Sequence, residues 1–86
     1  MKRIKLSEYK PSMGILIDVQ REDKYKLNPT KNSINIYADK LLLNHNNILN
    51  KNNKYYIICN KGHLSKRVVA TLEYYGYDVT QVINHF

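Results

Sequence analysis

Short apolar runs alternate with helical patterns along this chain, and that alternation limits the folds open to it. The most apolar run is Lys54 to Cys59, "KYYIIC", with Ile57 and Ile58 at its centre. An unbroken apolar stretch of this length reads as a buried strand. Gly14 to Val19, "GILIDV", and Ser33 to Ile36, "SINI", are two more, and Tyr77 to Ile83, "YDVTQVI", is a last β-rich run. Between the first two lies the charged "QREDKYKL", enough for one helical turn or two, and then the turn-rich "NPTKN". Ala38 to Asn50 has helical periodicity: Leu41, Leu42, His45, Ile48 and Leu49 fall on one face, with asparagines mostly opposite. Ser65 to Tyr75 is a second helical stretch, with Val68, Val69, Leu72 and Tyr75 as its apolar face. Ser65 is suited to cap its start and Gly76 to end it. Strands alternating with helices predict an α/β fold whose sheet is parallel, or mostly so, and covered on both faces. In such sheets sites lie outside the carboxyl ends of the strands, which is where Cys59 falls.

Eighty-six residues predict a single domain over 1–86. No apolar stretch approaches the roughly 20 residues of a membrane span. The start, "MKRIKLSEYK", is basic but has no apolar core of a signal peptide. The expectation is a cytoplasmic protein with no membrane partner. One cysteine makes no internal disulfide and no thiolate zinc site, and His45, His63 and His85 show no ligand spacing with it. Neither a metal nor a cofactor is expected. The net charge of +7 comes mostly from lysine, in a chain also rich in asparagine ("NHNNILNKNNK"). No recognition motif accompanies that charge, so nucleic-acid binding is not expected. A small anionic substrate would be served by the same positive field.

Cys59 closes the apolar run, Asn60-Lys61-Gly62-His63-Leu64 follows, and the helical pattern starts at Ser65. A cysteine here is either a small apolar residue finishing a strand or a nucleophile. The thiolate is the reactive form, and the unpaired N–H groups of a helix N-terminus favour it. A short loop curled around the sulfur adds further N–H groups, forming an anion-binding nest. Gly62 permits the positive φ such a curl often needs, and Lys61 and His63 bring positive charge to its rim. Asp18, at the end of its strand, either orients this loop or caps the turn that follows it. Most of the tyrosines, Tyr55, Tyr56, Tyr74, Tyr75 and Tyr77, occupy strand and helix positions and read as core and boundary residues. Lys66 and Arg67 oppose the macrodipole at a helix start, which marks either a nearby anion or simply a basic composition.

In order and spacing these residues resemble the single-domain rhodanese (thiosulfate sulfurtransferase) family. That family has "LIDVRE", then "GHIPGAINIP", then a six-residue loop opened by cysteine, "YCRSGxRS", a helix, and a "GY.V" strand. Here "LIDVQREDKYKLNPTKNSINIY" aligns with the first part at Leu16, Ile17, Asp18, Val19, Tyr25, Ile34, Asn35 and Ile36. "ICNKGHLSKRVVATLEYYGYDVTQV" aligns with the second at Cys59, Gly62, Ser65, Gly76, Tyr77 and Val79. The resemblance implies a three-layer α/β/α fold with a mainly parallel five-stranded sheet. It implies that Cys59 takes sulfane sulfur from a donor such as thiosulfate, holds it as a persulfide, and passes it to cyanide, a small thiol or a protein thiol. Asn60, Lys61, Gly62, His63, Leu64 and Ser65 would form the substrate loop, with Asp18 in support. Leu64 and Asn60 stand where the family commonly has arginine, Gln20 replaces the arginine of its first motif, and Asn84-His85 replaces a closing pair of glycines. Those differences imply weak thiosulfate turnover, and they leave a sulfur-relay or protein-interaction module as the alternative.

Overall fold

The structure is a computed structural model and describes residues 1–84. Five strands form one sheet: β1 (Lys2–Lys5), β2 (Ile15–Asp18), β3 (Ser33–Asn35), β4 (Lys54–Ile58) and β5 (Asp78–Ile83). Their spatial order is β1-β5-β4-β2-β3, and every pairing is parallel. β4 lies at the centre, and its residues alternate between two cores. Tyr55, Ile57 and Cys59 join one cluster, and Tyr56 and Ile58 join the other. A central parallel strand is covered on both faces, which is why its sequence is an unbroken apolar run.

The larger core holds Ile17, Val19, Leu41, Ile57, Val68, Val69, Leu72 and Val79 under the helices α2 (Ala38–Leu43), α3 (His45–Ile48) and α4 (His63–Tyr74). On the other face Leu16, Tyr56, Ile58 and Val82 are covered by Ile4, Leu6, Tyr9 and Met13, from β1 and the two 3₁₀ turns that follow it. The short helix α1 (Glu22–Leu27) buries none of its residues. It is supported locally by the Lys26–Glu22 pair at 2.8 Å, which holds the Glu22 carboxyl below the usual carboxylate range. Among the described residues no helix is long and apolar enough to cross a membrane, and no cluster of three or more His, Cys, Asp and Glu could hold a metal ion.

Several sequence expectations need correction. β1 was not anticipated, because an edge strand reading Lys-Arg-Ile-Lys, with only Ile4 half-buried, carries almost no apolar pattern. The helix expected over Ala38–Asn50 is two helices broken at Asn44, whose side chain donates to the Lys40 carbonyl at 2.9 Å. Asparagine competes for backbone partners in this way and interrupts helices. α4 begins two residues before Ser65. Its cap is Gly62, at φ +85°, while Ser65 is the third helical residue and fully buried. Tyr74 is 86% exposed and Tyr75 46%, so neither belongs to the core. Tyr75 instead stacks on His45 at 4.4 Å, and His45 Nδ1 shares a 2.8 Å hydrogen bond with the Tyr77 hydroxyl. Gly76 ends α4 as expected, at φ +92°, with its amide on the Glu73 carbonyl and the Tyr77 amide on that of Leu72. His85 lies outside the described residues.

Candidate active site

Cys59 directly follows the last residue of β4, and its thiol is free. The strand periodicity turns it to the helix side of the sheet, where it is 4% exposed. Three residues later Gly62 takes the left-handed conformation that reverses the chain into α4. The reversal aims the first turn of α4 back at the sulfur, and the Ser65 amide donates to Cys59 Sγ at 3.1 Å. Among the described residues it is the amide that reaches the sulfur; those of Asn60 to Leu64 are not hydrogen-bonded to it. The sulfur therefore sits at the positive end of a helix of 12 residues, where negative charge is stabilised.

The loop is fixed from below by a residue the sequence did not single out. Gln81 of β5 is 4% exposed, and its Nε2 donates to the Gly62 carbonyl at 2.9 Å and to Ser65 Oγ at 3.0 Å. Ser65 Oγ in turn donates to the Gly62 carbonyl at 3.2 Å. The one sequence signal was a polar pair, Thr80 and Gln81, set between apolar residues of the last strand, "VTQVI". Buried amides of this kind are retained where their hydrogen bonds are satisfied.

The remaining loop residues divide between two clefts of about 210 Å³ each. Asn60 faces Gln20, Lys24, Thr30 and Asn84 on one side. Lys61 and His63 face Arg3, Lys66 and Gln81 on the other. Leu64, where the resemblance expects arginine, is half-buried and packs against the larger core. Asp18 is fully buried, and its carboxylate accepts from the Gln20 amide at 3.0 Å, from Gln20 Nε2, and from Thr30 Oγ1 at 2.8 Å. These hydrogen bonds come from Gln20 in the turn after β2 and from Thr30 beyond α1, and among the described residues none comes from the cysteine loop. Arg3 was invisible as a site residue because its strand was.

The Rhodanese-like domain family model matches residues 3–85. The structure is similar to that of a rhodanese-like domain protein from Staphylococcus aureus, with 32% identity and a TM-score of 0.79 over 98% of this chain and 86% of that one. It is similar to a Staphylococcus saprophyticus protein at 26% identity and TM-score 0.84, over 98% of this chain and 88% of that one. A rhodanese-related protein from Thermoplasma volcanium shares the fold at 24% identity and TM-score 0.87, over 98% and 85% of the two chains. No curated protein matches the sequence. With the cysteine at the end of the central strand, the parallel sheet in the order just described and a family match over nearly the whole chain, this protein belongs to the rhodanese-like domain family.

Proposed function

We propose that the protein is a sulfurtransferase that carries sulfane sulfur on Cys59. The family includes sulfurtransferases. The observation that carries the reading is the Ser65 amide on Cys59 Sγ at the N-terminus of α4, because it stabilises negative charge at the sulfur whether that charge is a thiolate or a bound anion. The Cys59 thiolate attacks the outer sulfur of thiosulfate. The S–S bond of the donor breaks, sulfite leaves with the electron pair, and Cys59 holds a persulfide. In the second half an acceptor thiolate, or cyanide, attacks the outer sulfur of that persulfide and regenerates the Cys59 thiolate. No general base is required once the thiol is ionised. Lys61 supplies positive charge, and His63 an imidazole, on one side of the loop. They do not supply the bidentate fork of the arginines that Asn60 and Leu64 replace, so thiosulfate is a poor donor. A lone free cysteine suits a reducing compartment, and the cytoplasm is the proposed location.

A second reading is a protein-interaction or sulfur-relay module without small-molecule turnover. Two observations favour it: Cys59 is nearly inaccessible, and Leu64 packs inward instead of presenting a cation.

The test is an intact mass after incubation with thiosulfate and removal of excess donor. The expected result is the gain of one sulfur atom, absent from Cys59→Ser. No gain with thiosulfate or any other sulfane donor, or a gain that survives Cys59→Ser, overturns the persulfide reading.

A further inference from the structure

The cleft on the β1 side of the cysteine loop collects basic groups from three parts of the chain: Arg3 from β1, Lys61 from the loop, and His63 and Lys66 from the first turn of α4. All four side chains are exposed. Among the described residues none has a carboxylate partner, since the ion pairs formed are Lys2–Asp78, Arg21–Asp23, Lys26–Glu22 and Arg67–Asp39. Like charges converging on one concavity repel each other and raise a local positive potential, and an anionic partner relieves both. Lys66 adds to this, because a cation in the first turn of a helix also opposes the macrodipole. Its neighbour Arg67 is neutralised by Asp39 at 3.6 Å, and Lys66 is not.

We propose that this cleft docks an acidic segment of the protein that exchanges sulfur with Cys59. The cleft holds about 210 Å³, below the roughly 300–1,000 Å³ of pockets that enclose drug-sized ligands. Its cations are spread across three elements at the surface, which suits several carboxylates along an extended chain better than one small dianion. Ile83 adds an apolar side chain to the lining. Gly62, which lines the cleft, is three residues from Cys59 in a loop held by Gln81, so a segment seated there lies beside the loop that follows the cysteine. A cysteine that is only 4% exposed as a residue favours a slim nucleophile, such as a cysteine side chain on an extended segment. This proposal rests on the persulfide reading for its chemistry: the partner thiolate attacks the outer sulfur, the Cys59 S–S bond breaks, and Cys59 leaves as thiolate.

Two probes test it. They are extended peptides of equal length with one central cysteine, flanked by glutamates in one and by serine and glycine in the other. Binding is read by fluorescence anisotropy with the peptide cysteine replaced by serine, so that no sulfur chemistry intervenes. The acidic peptide should bind at least about tenfold more tightly than the neutral one, the scale of one well-placed charge contact. The double variant Arg3→Glu/Lys66→Glu should lose that advantage. Lys31→Glu/Lys40→Glu, an equal charge change at exposed lysines away from the cleft, should keep it. Cys59→Ser should bind as the wild type does. Equal weakening by the two double variants, or tighter binding of a short oligonucleotide than of the acidic peptide, overturns the proposal. So does loaded protein that transfers sulfur to both cysteine peptides at the same kcat/KM. If binding localises to the cleft but no sulfane donor loads Cys59, the docking surface stands and the persulfide reading falls.

Discussion

The carbonyl of Gly62 accepts hydrogen bonds from the Lys66 amide at 3.1 Å, from Gln81 Nε2 at 2.9 Å and from Ser65 Oγ at 3.2 Å. It belongs to the residue whose left-handed φ turns the loop into α4. The direction of the Ser65 amide, and so its reach to Cys59, depends on how that peptide is held. Gln81→Leu removes the one side chain that fixes the Gly62 carbonyl from outside the loop and leaves buried polar atoms short of a donor. A cost of about 1–3 kcal/mol is expected in urea unfolding, together with slower gain of sulfur from thiosulfate. Ser65→Ala deletes the hydroxyl but keeps the amide on the sulfur, so it should load at close to the wild-type rate. Gln81→Leu loading as fast as wild type would show that the amide is positioned by α4 alone. Cysteine, glycine and serine were legible here because their types and spacing are chemically specific. Gln81 was not, because its partners come from a loop separated from it by all of α4.

Elements were legible in proportion to how much of their sequence pattern packing dictates. β4 and β2 bury both faces and read as apolar runs, while β1 buries little and left no pattern. The interruption at Asn44 follows from one side-chain hydrogen bond, which no apolar periodicity records. Gly14, just before β2, carries a constraint of the same hidden kind. A Cβ built there would lie 2.5 Å from the Lys54 carbonyl oxygen and 3.0 Å from Tyr56 Cε1. The oxygen belongs to the backbone of the central strand and cannot swing aside. Gly14→Ala therefore forces β2 and β4 apart where their pairing begins, at Ile15 opposite Tyr55. The expected cost is about 1–3 kcal/mol, or roughly 5–20 °C in Tm for a domain of this size. Thermal unfolding followed by circular dichroism measures it, and an unchanged Tm would mean that the strand entrance is slack.

Across the whole molecule the two faces of the sheet are unequally protected. Three helices cover the face that carries Cys59, and on the other a small apolar cluster is closed by side chains from residues 4–13. The same N-terminal segment thus supplies Arg3 to the basic cleft and Ile4, Leu6, Tyr9 and Met13 to the second core, so site and stability are coupled through it. Tyr9 is the polar anchor of this closure. Its ring meets that of Tyr56 at 5.3 Å, and its hydroxyl donates to the Gly14 carbonyl at 2.7 Å. Burial pushes its phenol above the ordinary value of 10.0, and the Tyr56 phenol adds to the shift. A folded-state value raised above the unfolded one means that the fold prefers the neutral phenol. That contribution is complete below about pH 10 and is lost as pH rises through the folded value. Tyr9→Phe lacks both the hydrogen bond and the titration. It should be less stable than wild type at pH 8, by about 1 kcal/mol for the missing hydrogen bond, and the difference should shrink as pH climbs past about 10. Urea unfolding of both proteins at pH 8 and pH 11 makes the comparison. A gap that stays constant or widens at high pH would show that the phenol ionises as readily in the fold as in the unfolded chain, and that this face of the sheet is open to water.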